Sequence, residues 1–114
     1  MLTLATREEA GVLILDLDGR MDGGPTSEKV HEFIKQSLNQ GKTRFLLNLH
    51  GVEWLNSLGL GVMIAAFVST KRHEGILKLC RPTARVTSVM TTSGVVPEIF
   101  EVYDDEQRAL ESFA

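Results

Sequence analysis

Cysteine, tryptophan and tyrosine each occur once in the 114 residues, and proline only three times. With Cys80 alone, neither an internal disulfide nor a thiolate-built metal site can form. Its setting, "ILKLC", reads as a strand, where a thiol serves as a small buried apolar group. Positive charge is also short. The formal net charge is −3, whereas affinity for a phosphate backbone needs clustered Lys and Arg. The densest basic run, "STKRHE" at 69–74, reads as the solvated end of a helix. No apolar run approaches the length that spans a bilayer. The opening "MLTLATREEAG" has neither a basic leader nor a long apolar core, so it reads as no secretory signal. A cytoplasmic protein without a nucleic-acid or membrane partner is the expectation.

Catalytic and cofactor motifs are missing as well. His31, His50 and His73 stand far apart, and none has a second ligand at helical spacing, which argues against a metal site. Ser57 is preceded by "LN", so a G-x-S-x-G nucleophile elbow is not formed. Ile64 stands where the third glycine of G-x-G-x-x-G would fall after Gly59 and Gly61, and no Walker lysine follows. The acids Asp16, Asp18 and Asp22 read as solvated or capping groups at a strand and its turn. A nucleotide-binding or phosphotransfer enzyme is therefore a distant reading. No catalytic residue, cofactor or metal is expected.

What is present is an ordinary globular balance, 43% hydrophobic and 24% charged, at a length that suits a single domain over residues 1–114. "VLILDLD" at 12–18 has strand composition, and "LTLAT" at 2–6 is placed to pair with it across "REEAG". Val30, Phe33, Ile34 and Leu38 then repeat on one helical face, with Thr26 or Ser27 as cap and Gly41 past the end. "RFLLNL" at 44–49 reads as a central strand. It is followed by a buried helix up to Gly75, a strand "ILKL" at 76–79, and a shorter helix carrying Val86, Val89 and Met90 that stops at Gly94. "EIFEVY" at 98–103 reads as the last strand, and Asp104 or Asp105 caps a final helix that buries Ala109, Leu110 and Phe113. Strands alternating with helices predict an α/β fold: a mixed, mainly parallel sheet of four to five strands with about four helices.

"WLNSLGLGVM" at 54–63 places a hydroxyl where a strand gives way to a helix. A helix N-terminus carries unpaired N–H groups and the positive end of the dipole. Ser57 there is either a cap, worth about 1 kcal/mol, or a phosphate acceptor, since a helix end favours that anion. Glycine costs about 1 kcal/mol against alanine inside a helix, so Gly59 and Gly61 imply close approach of another backbone, from the sheet or from a partner. At least one of Leu58 and Leu60 is expected to face solvent.

"GRMDGGPTSEKV…RFLLNLHGVEWLNSLGLGVMIAAF" resembles the STAS domains, specifically the bacterial anti-sigma-factor antagonists. Gly19, Met21 and Asp22 stand at the family's G-x-(L/I/V)-D step. Asn56, Ser57, Leu58, Gly59, Leu60 and Gly61 stand at its D-S-(S/T)-G-L-G motif, and Ser93, Gly94 and Val95 at its later S-G-(L/V). The resemblance covers nearly the whole chain. It implies a non-enzymatic module that binds a partner anti-sigma factor, itself a serine kinase of the GHKL type, and so releases a sigma factor. Phosphorylation of Ser57 would end that binding, and a metal-dependent serine phosphatase would restore it. ATP and magnesium would belong to the kinase. The implied contact residues are Asp22, Asn56, Ser57, Leu58, Gly59, Leu60, Gly61 and Met63. Two positions depart from the motif: Asn56 replaces its acid, and Leu58 its second hydroxyl. The alternative is a STAS scaffold that is never switched, within a larger complex or transport system.

Overall fold

Alternation of apolar and polar residues builds the first two strands, β1 (Leu2–Glu9) and β2 (Val12–Met21), into an antiparallel hairpin. They are longer than their sequence signals, and the turn contracts to Ala10 and Gly11, both at positive φ. The computed structural model describes residues 1–114. After β2 follow α1 (Pro25–Asn39), β3 (Arg44–Leu55), α2 (Ser57–Arg72), β4 (Ile76–Cys80), α3 (Ala84–Thr92), β5 (Val102–Tyr103) and α4 (Glu106–Glu111). The sheet order is β1-β2-β3-β4-β5, parallel throughout except for the hairpin. The expected α/β class, strand number and helix number are all found.

Each sheet face has its own core. Leu15, Leu17, Phe45, Leu47, Leu49 and Leu79 meet Val30 and Ile34 of α1, Met63 and Ala66 of α2, and Val86 and Met90 of α3. On the opposite face, Val12, Ile14, Leu46 and Cys80 are covered by Ala109 and Phe113 near and beyond the end of α4. A helix this short needs anchoring. Arg7 pairs with Glu106 and, at 2.7 Å, with Asp16, while the Nζ of the buried Lys78 donates to the Ser112 carbonyl at 3.1 Å and hydroxyl at 2.9 Å. Burial pushes the Cys80 thiol up to about 12, so it is an inert core group as expected.

Three local expectations are corrected. β3 does not end at Leu49 but runs on through "HGVEWL", because β2 continues to Met21 and keeps pairing with it across two register shifts. Those shifts break the two-residue period by which a strand is read. The last strand shrinks from "EIFEVY" to Val102–Tyr103: the N–H groups of Ile99 and Phe100 both bond the Val95 carbonyl at 2.9 Å, folding the segment into a turn that buries Phe100. α2 does not run up to Gly75 but ends at Arg72, and the left-handed residue that follows is Glu74 (φ 58°). Gly75 is small for another reason, since an added Cβ would meet the Thr43 carbonyl oxygen and lie 2.9 Å from Thr70 Cγ2.

Candidate functional site

The β2–α1 turn and the start of α2 meet at the C-terminal ends of the parallel strands, the edge where open α/β sheets place their sites. Met21, buried at the end of β2, carries its carbonyl to the Asn56 N–H at 3.4 Å and so ties the two segments together. Gly23, at φ 86°, holds the turn open; a Cβ there would collide with Leu58, whose Cα would lie 3.4 Å away. Neither Thr26 nor Ser27 caps α1. Gly24 occupies the cap position with Pro25 following, and no side chain closes the helix end. Ser27 is buried and works on the turn: its Oγ accepts from the N–H groups of Asp22 at 3.0 Å and Gly23 at 3.2 Å. Thr26 Oγ1 accepts from Leu2 N–H at 2.9 Å. The Asp22 carboxylate in turn accepts from Gly24 N–H at 3.0 Å, and this bond holds it below the usual carboxylate range.

At the start of α2 the two readings of Ser57 separate. The cap is Asn56: its backbone is extended and its Oδ1 accepts from Gly59 N–H at 2.8 Å. Ser57 is the first helical residue, exposed, and its hydroxyl has no hydrogen-bond partner within the chain. The serine has no structural duty.

The remaining motif residues divide by face. Leu58 is 69% exposed and Gly61 faces open space, whereas Leu60 and Met63 belong to the core. Leu60 and Met63, expected among the contact residues, are therefore not surface groups; the helical period turns them onto the sheet. Gly59 is also buried, and a Cβ there would fall on the Met21 carbonyl oxygen and lie 2.8 Å from Met21 Cγ. Close packing on β2 requires that glycine. Gly61 has no such neighbour within the chain. Asp22, Asn56, Ser57, Leu58 and Gly61 remain as one accessible group.

Sequence reasoning missed a further feature of this edge. Arg20, Trp54 and Leu58 line an open cleft of about 540 Å³ together with the Asp22–Gly24 turn and Asn56. The Arg20 guanidinium lies 4.9 Å from the centroid of the Trp54 ring, and that of Arg85 lies 5.7 Å from it. The one available signal was the lone tryptophan two residues before the motif, which the shortened reading of β3 left in a loop.

A family model described as STAS domain matches residues 3–109. Among curated proteins, the chain is similar to the anti-sigma F factor antagonist of Paenibacillus polymyxa, 26% identical over 96% of this chain and 92% of that one. It is also 33% identical to a Thermotoga neapolitana protein assigned to the anti-sigma factor antagonists, over 74% of this chain and 77% of that one. Among solved structures it resembles the antagonist SpoIIAA in its unphosphorylated form, with a TM-score of 0.82, 19% identity and coverage of 97% and 96%. The phosphorylated Bacillus SpoIIAA gives a TM-score of 0.76 at 18% identity, covering 98% of this chain and all of that one. At such identities the likeness is one of fold.

Proposed function

The chain belongs to the STAS domain family, and from that premise we propose that it is an anti-sigma-factor antagonist switched by phosphorylation of Ser57. The observation that carries the proposal is the free hydroxyl: Asn56 caps α2, which leaves Ser57 exposed and unpartnered at the first helical position. The unmodified chain binds an anti-sigma factor that is a GHKL-type serine kinase, and the sigma factor held by that kinase is released. The proteins carrying the antagonist name among its relatives support this role.

In the switching step Ser57 Oγ attacks the γ-phosphorus of ATP held with magnesium on the kinase. The phosphorus–oxygen bond to ADP breaks, and the serine proton passes to a base of the kinase. The product carries about −1.5 to −2 charges at a helix N-terminus that favours them, beside the exposed Leu58 and the ionised Asp22. A contact surface that had been partly apolar gains this negative charge beside Leu58 and Asp22, and the partner dissociates. A metal-dependent serine phosphatase returns the chain to its binding form. The chain contributes the acceptor and the surface; the catalytic groups belong to its partners. No helix is long and apolar enough to cross a membrane, and the cytoplasm is the proposed setting.

A second reading is favoured by the motif itself. Leu58 stands exposed where the family carries a hydroxyl, and Asn56 where it carries an acid. Such a site suits an unswitched STAS scaffold that binds through the same surface. Incubation with a GHKL-type serine kinase from the same genome, ATP and magnesium, followed by fragment-resolved mass spectrometry, separates the two. Phosphate on Ser57, absent from Ser57→Ala, is the expected result; an unmodified serine in a chain that still binds the kinase supports the scaffold.

A further inference from the structure

The cleft beside Ser57 holds positive charge that the switch does not use. Arg20, near the end of β2, lines the cleft; Arg85, in the first turn of α3, lies outside that lining, but its guanidinium, like that of Arg20, approaches the Trp54 ring. Both arginines are exposed. The ion pairs of the chain run through Arg7, Lys42, Lys78 and Arg108, and neither Arg20 nor Arg85 takes part in one. Asp22 lines the same cleft, but its carboxylate is turned to the Gly24 N–H. Glu53 and Asp18 lie close in sequence without pairing with either arginine. Two like charges thus meet on one aromatic ring, unneutralised, in a chain whose net charge is −3.

Stacking on an indole occupies the face of a guanidinium and leaves its in-plane N–H groups free for bidentate bonds to a carboxylate. On the same cleft, Leu58 is braced by the Gly23 turn and presents an apolar side chain to solvent. A cationic pair beside an apolar knob is complementary to one kind of occupant. We infer that this cleft docks an acidic–apolar segment of the partner protein, with carboxylates on Arg20 and Arg85 and an apolar side chain against Leu58 and Trp54. The identity of the partner as the anti-sigma kinase rests on the function proposed above; the chemistry of the segment does not.

Trp54 is the sole tryptophan, so its fluorescence reports on this cleft alone. The intact chain is titrated at low salt with the synthetic peptide Glu-Asp-Leu-Leu-Asp-Glu and with its amide counterpart Gln-Asn-Leu-Leu-Asn-Gln. A saturable change in emission with the acidic peptide is expected, weakened at least tenfold by raising the salt or by the pair Arg20→Glu and Arg85→Glu. Arg20→Gln with Arg85→Gln should weaken it in the same direction, and Arg108→Glu, on α4, should leave it unchanged. Equal response to both peptides, or insensitivity to the arginine variants, overturns the inference. So does an emission unmoved by the acidic peptide but shifted, through the arginines, by phosphoserine installed at residue 57; the pair would then serve the chain's own phosphate. Kinase capture abolished by Ser57→Glu and untouched by the arginine variants would overturn the docking surface and leave the antagonist role standing.

Discussion

Gly59 and Gly61 lie two residues apart in the same helix, yet alanine should act on them with opposite sign. At Gly61 an added methyl meets nothing within 4 Å, so the change reduces to backbone propensity and stabilises by up to about 1 kcal/mol. At Gly59 the same gain is opposed by a collision with the Met21 carbonyl oxygen and with Met21 Cγ at 2.8 Å. Neither can yield easily: Met21 is fully buried, and its carbonyl bonds Asn56 N–H. Overpacking of this kind costs about 1–3 kcal/mol where a side chain can move and more where backbone must. The net expectation for Gly59→Ala is a loss of about 2 kcal/mol. The two variants should then differ by about 3 kcal/mol in urea denaturation, or by roughly 10 °C in melting temperature for a chain of this size. Equal shifts, or a stabilised Gly59→Ala, would refute the assignment of one glycine to internal packing and the other to open surface.

The cap and the charge network give further outcomes. Asn56→Ala should lower stability by about 1 kcal/mol through loss of the bond to Gly59 N–H, whereas Asn56→Asp, which keeps an acceptor at the helix N-terminus, should not; chemical denaturation reads both. Arg7 holds the carboxylates of Asp16 and Glu106 below their ordinary values, so their stabilising contribution is complete above about pH 4.5 and is lost as pH falls through the depressed folded values. Since these groups are partly exposed, Arg7→Ala should cost no more than about 1 kcal/mol at pH 7, and the difference from wild type should vanish in strongly acidic solution. Cys80 should resist a thiol reagent at neutral pH in the folded chain and react fully in denaturant; rapid reaction in the native state would contradict its burial.

The sequence was most legible where local and tertiary signals agree. The element order was read correctly because apolar residues recur at clear periods in β2 and α1, α2 opens as a long apolar run, and glycines mark the ends. Gly41 and Gly94 adopt positive φ just past their helices, as their positions imply. Legibility failed where pairing overrides period. The second half of β3 hides behind two register shifts and Gly51, and β5 is fixed by where the turn after Val95 leaves the chain. At the site, the motif showed which residues gather at the start of α2 but not which way each faces. Leu60 and Met63 look like their exposed neighbour Leu58 in a one-dimensional pattern, and only the packed helix separates them. Ser57 and Asn56 could both cap; the extended backbone at Asn56 decides it. The convergence of Arg20 and Arg85 on Trp54 joins three distant parts of the chain, and its one local signal is the lone tryptophan.

Under the proposed function, a phosphate on Ser57 switches a binding surface off. Calorimetry of the chain with a GHKL-type serine kinase from the same genome tests it, with Ser57 unmodified and with phosphoserine installed at that residue, alongside Ser57→Ala. Tight binding is expected for the unmodified chain and for Ser57→Ala, with at least a hundredfold loss once the phosphate is in place. Equal affinity in all three forms would contradict the switch and leave a permanent binding module.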